Sequence, residues 1–476
     1  MTAPVLRDYQ VKVIENLREA YRGGARAPLL VLPTGGGKTV IFSTVAVSAA
    51  HKGKRTLILC HRRELICQAT DKLRAAGVEP GIIAPGFPAN DALVQVGSVQ
   101  TLAARIARGA TLPPVDLVVL DEAHHVGART WLSVLDAMPG ARILGVTATP
   151  IRADGKGLGV EHGGIFDRLV AGPSVAGLIA GGHLVGTKVY APRRAIDLTG
   201  IRTRAGDFDQ AALDRIMRES SITGDSVSHY GRHAPGLPAI VFAVSIAHAE
   251  EVAAAFRAAG WRAQAVSGAT PAAERDAAIQ GLATGSVQVL CSVDVFSEGT
   301  DVPACSAVIL LRPTKSVGLF LQQCGRGLRP APGKDRCIVL DHAGNVARHG
   351  LPEAPREWSL AGAPKKQKAE ADEPKDRTCD ACGYRHPPAP VCPRCGQRHA
   401  GEAREVERVD GELAELTEAE RERLMHLRTR PLHELVAAAT SRKEMHEIGR
   451  ARGFKPGWAW HQWNRKQAER VAEAAA

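Results

Sequence analysis

Short apolar runs separated by longer amphipathic stretches recur up to about residue 350, and this alternation constrains the fold more than any other feature of the chain. "APLLVLP", "RTLILCH", "ALVQVGS", "VDLVVLDEA" and "ARILGVTATP" follow one another with helix-like segments such as "RRELICQATDKLRAAG" among them. A strand that is apolar at nearly every position is covered on both faces, so these runs predict a parallel sheet between layers of helices. The rhythm restarts at "PAIVFAV" and continues through "RAQAVSG", "SVQVLCSV", "SAVILLRP" and "RCIVLDHAG". The expectation is an α/β protein with two tandem parallel-sheet lobes, 1–170 and 171–350, with a mixed, Gly-rich excursion over about 171–235.

A chain of 476 residues exceeds one compact core, which agrees with several domains. After the second lobe, residues 351–376 are rich in Pro, Ala and charge without apolar periodicity and read as a flexible linker. A four-cysteine segment occupies 377–400, and residues 401–476 read as mainly helical. No apolar run approaches the roughly 18 residues that span a bilayer, and the start "MTAPVLRDYQ" lacks the layout of a signal peptide. A soluble cytoplasmic protein without a membrane partner is expected. Six of the ten cysteines, Cys60, Cys67, Cys291, Cys305, Cys324 and Cys337, are scattered through apolar segments, which reads as reduced core thiols and not as a disulfide framework. The formal charge is +11, and residues 401–476 hold 14 basic and 14 acidic side chains, so the excess lies before them. That excess suits a polyanionic partner such as nucleic acid, and equally a solvated basic surface.

"LPTGGGKT" follows an apolar run and opens a helical one. Thr34, Gly35, Gly36 and Gly37 can turn backbone N–H groups toward phosphates, Lys38 can meet the β/γ-phosphates, and the Thr39 hydroxyl can ligate Mg²⁺. Strict P-loop spacing places a glycine where this chain has Leu32. "VDLVVLDEAHH" ends a strand in Asp121, suited to holding Mg²⁺, and Glu122, suited to polarising the attacking water. In the second lobe, "QQCGRGLRP" spaces Arg326 and Arg329 three residues apart, on one face if the segment is helical, where both could reach a γ-phosphate.

Together these segments resemble the ordered motifs of superfamily two helicases, whose two lobes are RecA-like. "PTGGGKT", "DEAH", "TATP" and "QQCGRGLR" are similar to motifs I, II, III and VI, and "LRDYQ" resembles the adenine-recognising segment, which implies Arg7 and Gln10 for the base. "SVDVFSEGTDVP" resembles motif V, implying Gly299 and Asp301 near the nucleotide. Glu298 and Val293 depart there from the arginine and threonine of the DEAD-box RNA helicases, toward the DNA-repair and restriction branches. By resemblance, Thr147 and Thr149 couple nucleotide state to lobe motion, while Arg62, Arg63, Gly97, Ser98, Gln100 and Thr101 bind nucleic-acid phosphates. "GVTATPIRADGKGLG", "LQQCGRGLRP" and "VLDHAGNVARHG", followed by four cysteines, are similar to the bacterial RadD family of repair ATPases. That resemblance implies DNA-dependent ATP hydrolysis in repair and recombination, with contacts to single-strand binding protein and the RecA recombinase. Rival readings are an RNA helicase and an ATP-switched recombination accessory that docks partners without unwinding.

Cys379, Cys382, Cys392 and Cys395 form two Cys-x-x-Cys pairs, each followed by glycine. Four thiolates close a tetrahedral site, for which zinc is favoured over an iron–sulfur cluster, and a metal with no open position is structural. "FKPGWAWHQWNRK" gathers Trp458, Trp460 and Trp463 beside Lys455, Arg465 and Lys466, either to stack bases or a peptide, or as the core of a small helical lobe.

Overall fold

The computed structural model describes residues 6–88, 90–152, 154–192, 198, 201–204, 206–219, 222–293, 302, 304–362, 377–378, 385–386, 393–397, 413–454 and 457–475. The chain divides into a large unit, Met1–Gly362 with Asp410–Ala476, and a small one, Ala363–Val409.

Within the large unit the first sheet has seven strands: β1 (Pro28–Val31), β2 (Thr56–Cys60), β3 (Gly81–Ile83), β4 (Val94–Ser98), β5 (Leu117–Asp121), β6 (Arg142–Thr147) and β7 (Arg168–Ala171). All pair in parallel, in the order β3-β4-β2-β5-β6-β1-β7. The central strands β1, β2 and β5 are buried at every position, as their unbroken apolar character requires. Side chains alternate between two cores: Leu30 and Leu32 pack on one face with Ile41 and Phe42, while Leu29 and Val31 pack on the other with Trp131 and Phe166.

The first sheet closes at Ala171, and the Gly-rich excursion supplies β8 (Gly186–Pro192) and a small antiparallel hairpin, β9 (Thr203–Arg204) with β10 (Asp207–Phe208). The second sheet continues with β11 (Ala239–Phe242), β12 (Ala263–Val266), β13 (Val289–Ser292), β14 (Ala307–Leu310) and β15 (Arg336–Asp341). In the small unit, β16 (Arg377–Thr378) pairs antiparallel with β17 (Arg385–His386). The chain then returns to the second sheet: β18 (Leu413–Glu415) adds an antiparallel edge beside β8, completing the order β12-β13-β11-β14-β15-β8-β18. Helices Glu418–Thr429, Leu432–Ala438, Arg442–Ala451 and Trp458–Ala475 follow. No helix among the described residues is long and apolar enough to cross a membrane.

The structure departs from the sequence expectation in three places. Residues 351–362 are not a flexible linker but a packed strap. Leu351 is buried in the second lobe, the Arg356 guanidinium donates to the carbonyls of His349, Leu351, Pro352 and Ala354, and Glu353 pairs with Arg421. Further along, Trp358 and Leu360 pack on the core of the first lobe, where the Leu360 carbonyl accepts from Leu158 N (2.9 Å) and Gly159 N (3.0 Å). Composition concealed this because the strap's contacts are largely backbone. Second, Cys67 is exposed, whereas the other five scattered cysteines are buried, with burial raising their thiol pKa values (Cys305 to about 11). Third, the region after 401 contributes a strand of the second sheet as well as helices.

Gly145, in the middle of β6, shows how tightly the first sheet is covered. A Cβ there would lie 2.3 Å from the fully buried Phe166 ring, which has no room to retreat. Gly145→Ala is expected to lower stability by about 1–3 kcal/mol in urea unfolding. Gly140→Ala, with open space around its Cβ, should change it by less than about 0.5 kcal/mol.

Candidate nucleotide and nucleic-acid site

β1 leads directly into the glycine loop. Gly35 and Gly37 adopt φ of 85° and 80°, a left-handed backbone that a Cβ penalises. These turns aim the loop into the start of helix Lys38–Ala50, whose unsatisfied N–H groups favour an anion. Leu32, the residue that departs from strict P-loop spacing, is fully buried in the core, and its N–H donates to Thr147 O at 3.0 Å. The departure therefore anchors the loop. Helix Asp8–Arg22 backs it: Tyr9 OH donates to Gly36 O at 2.8 Å, and the Gln10 amide sits where a Gly37 Cβ would be, at 2.4 Å. Gln10 Oε1 accepts from Arg7 N at 3.0 Å, so this glutamine ties the helix start to the loop.

β5 delivers Asp121 and Glu122 to the same end of the sheet, where ligands of parallel sheets bind. Both are buried, and Asp121 Oδ1 accepts from Glu122 N at 3.0 Å. Glu122 Oε2 is buried without a hydrogen bond, 3.5 Å from His124 Nδ1. Leaving such an oxygen unsatisfied costs about 1–3 kcal/mol, which calls for a functional reason. His124 Nδ1 lies 3.1 Å from Thr147 Oγ1; that hydroxyl donates to Thr149 O at 3.0 Å and accepts from Thr149 N at 3.2 Å.

The second lobe closes over this surface. Helix Val317–Gly327, capped by Ser316, packs so closely that a Cβ on Gly325 would lie 2.6 Å from Thr34 Cβ, and one on Gly318 2.8 Å from Thr149 Oγ1. Arg326 is buried in the last turn of that helix. Arg329 lies beyond the helix end, contrary to the one-face expectation, and its Cγ runs past Gly35 at 3.5 Å from the place a Cβ would take. Burial lowers the pKa of Lys38; Glu122 and Asp121 oppose that shift, and Arg326 and Arg329 reinforce it. Burial likewise lowers Arg329 to about 10. Two carboxylates of the first lobe and two arginines of the second thus act on Lys38. Together with the glycine cradle and the orphaned Glu122 oxygen, that donor set fits a nucleoside triphosphate with Mg²⁺ held by Thr39 and Asp121.

Beside the nucleotide end, β2 and β4 are neighbours, with Cys60 opposite Ser98. Arg62 starts helix Arg63–Ala75, and Arg63 is exposed with its guanidinium 6.0 Å from the Phe87 ring centre. Ser98 caps helix Val99–Ala107, accepting from Thr101 N (3.3 Å) and donating to Gln100 Oε1 (2.9 Å), while Gln100 Nε2 donates to His61 O (3.1 Å). Gly97 is buried under Leu102. Glu64, next to Arg63, bonds Arg275 of the second lobe at 2.8 Å. That pair joins residues 211 apart, beyond the reach of any local pattern, as does the ring contact between Tyr9 and His183.

Gly299, Asp301, Cys379, Cys382 and Cys392 lie outside the described residues; Cys395 is exposed in a turn. Among the described residues no group of three His, Cys, Asp or Glu side chains could hold a metal ion. In the C-terminal helices Trp458 and Trp463 pack on Leu435, Met445 and Ile448, whereas Trp460 is exposed. Lys466 Nζ donates to Val436 O (2.9 Å) and Ala439 O (2.7 Å), closing a helix end.

The chain is similar to known proteins in sequence and fold. A family described as the type III restriction enzyme res subunit matches residues 3–152, and the helicase conserved C-terminal domain matches 224–331. A 51.5 kDa protein of a Lactococcus phage is 34% identical over 397 residues, covering 82% of both chains. A Saccharomyces cerevisiae protein provisionally named ATP-dependent helicase IRC3 is 32% identical over 74% of this chain; the chain spans 53% of that protein's length. Among solved structures, the ATP-dependent Type ISP restriction-modification enzyme LlaBIII bound to DNA superposes with a TM-score of 0.54 at 20% identity, over 71% of this chain and 28% of that one. The chain belongs to the superfamily two helicases, the ATP-hydrolysing helicases and translocases built on two RecA-like lobes.

Glu122→Gln removes the charge that would polarise water while keeping shape. ATP binding should persist within about threefold, and turnover should fall by about 10²-fold or more; unchanged turnover removes Glu122 from that role.

Proposed function

We propose that this protein is a DNA-stimulated ATPase of the RadD type that translocates on or separates DNA in repair and recombination. The observation that carries the reading is that buried Lys38 lies within electrostatic reach of Asp121 and Glu122 in its own lobe and of Arg326 and Arg329 in the second, whose helix packs on Thr34 and Thr149. In it, Gly35 to Gly37 cradle the phosphates and Lys38 neutralises the β/γ-phosphates. Thr39 and Asp121 hold Mg²⁺, which supplies charge neutralisation when bound. Glu122 orients and polarises the attacking water, and Arg326 and Arg329 stabilise charge spreading over the transferred group. Arg7 and Gln10 recognise the base in this reading, and they, like Gly299 and Asp301, are assigned by resemblance. Because the arginines belong to the second lobe and the carboxylates to the first, hydrolysis requires closure, and Thr149, against Gly318, with Thr147 hydrogen-bonded to it, reports that closure to the second lobe.

DNA as the polymer is supported by the restriction-type match of the first lobe, by the likeness to the DNA-bound restriction-modification enzyme LlaBIII, and by the motif V residues Val293 and Glu298. Arg62, Arg63, Gly97, Ser98, Gln100 and Thr101 bind backbone phosphates in this reading, with single-strand binding protein and the RecA recombinase as protein partners. ATP turnover with single-stranded, duplex and forked DNA and with RNA, at fixed salt, distinguishes the readings. Stimulation by DNA and not by RNA is expected, together with strand displacement or translocation. Stimulation by RNA alone would favour an RNA helicase, and turnover without motion an ATP-switched docking protein.

Cys379, Cys382, Cys392 and Cys395 form a closed structural zinc site in this reading, supported by their spacing. One zinc per chain is expected by elemental analysis, and a Cys379→Ser, Cys392→Ser variant should lose it; undiminished metal content overturns the assignment.

A further inference from the structure

Glu122 is the one described residue other than glycine with positive φ, 49°. A non-glycine residue in that region costs about 1–3 kcal/mol and persists where its surroundings enforce it. The enforcement is local and aromatic. His125 N donates to Glu122 O at 3.0 Å, closing a 3₁₀ turn over Ala123–His125 whose Ala123 is fully buried. The His125 ring lies between two others: His124 at 4.1 Å between centroids, tilted 39°, and His61 at 4.7 Å, tilted 59°. His124 faces Glu122 and Thr147. His61 belongs to a different segment: it follows β2, directly precedes Arg62 and Arg63, and its carbonyl accepts from Gln100.

We propose that His61 and His125 are positioning residues that transmit occupancy of the nucleic-acid face to the strained Glu122 backbone. The proposal rests on the reading of Arg62, Arg63, Ser98 and Gln100 as phosphate contacts. Phosphate binding at those groups shifts the 61–63 backbone, to which Gln100 is tied. The His61 ring then moves against His125, and His125 sets the turn that holds Glu122. A packed ring contact transmits such a shift because interiors have little slack.

The test uses the full chain: ATP turnover without DNA and with saturating single-stranded DNA, and DNA affinity by anisotropy, for wild type, His61→Ala, His125→Ala, the double variant and His125→Phe. Basal kcat, KM for ATP and DNA affinity should stay within about twofold in each variant. The ratio of stimulated to basal turnover should fall about tenfold in either alanine variant. Since both residues act through one contact, the double variant should fall no further. His125→Phe, which keeps a ring in place, should retain most of the stimulation. A wild-type ratio in His125→Ala, losses that multiply in the double variant, basal turnover that falls in parallel, or a Phe variant as impaired as Ala would each overturn the proposal and leave the DNA reading standing. Absence of stimulation in the wild type would overturn both.

Discussion

Burying a cation is costly unless an anion meets it, and this chain buries several around one point. Lys38 and Arg329 are both held below their usual pKa by desolvation, and Lys38 feels Arg326 and Arg329 as like charges. Holding them together requires two rigid bodies in close register, and the surrounding architecture supplies that. The parallel first sheet presents its carboxyl ends, with the glycine loop and Asp121, to the second lobe, and the glycines at 318 and 325 let the helix of the second lobe approach Thr149 and Thr34 without side chains between. The arrangement is poised for a polyanion, because the phosphates that bind there relieve the repulsion that the protein's own packing creates.

Much of this was legible in the sequence, for reasons that are local. Apolar runs with turn residues between them fix strands and their burial, and the loop "PTGGGKT" and the pair Asp121–Glu122 are short-range patterns that bring their geometry with them. What escaped was set by partners far along the chain. Arg275 meets Glu64, Tyr9 meets His183, and the segment from 351 meets both lobes, none of which periodicity can signal. Arg326 and Arg329 were read on one helix face because three-residue spacing suggests it; the helix ends between them, and the chain past Gly327 brings Arg329 along the glycine loop instead. Composition misled most where hydrogen bonds to backbone carbonyls, as made by Arg356, do the holding.

Leu32 teaches the same lesson in reverse. Read against a strict spacing rule it looks like damage to the phosphate loop, yet it is fully buried and hydrogen-bonded to the strand that carries Thr147. The requirement at that position is a firm root for the loop, while the left-handed turns fall at Gly35 and Gly37.

The strap over residues 351–362 changes what relative motion the two lobes can make. A single covalent crossing, between β7 and β8, would leave them free to swivel about almost any axis. A second crossing, gripped through Arg356 on one side and through Leu360 against Leu158 and Gly159 on the other, removes most of those freedoms. Two bodies joined at two separated points rotate most easily about the line through both. In the proposed ATPase cycle, opening and closing would thereby be confined to something near one degree of freedom, like a door on two pins, and the energy of nucleotide binding would be directed into that one motion.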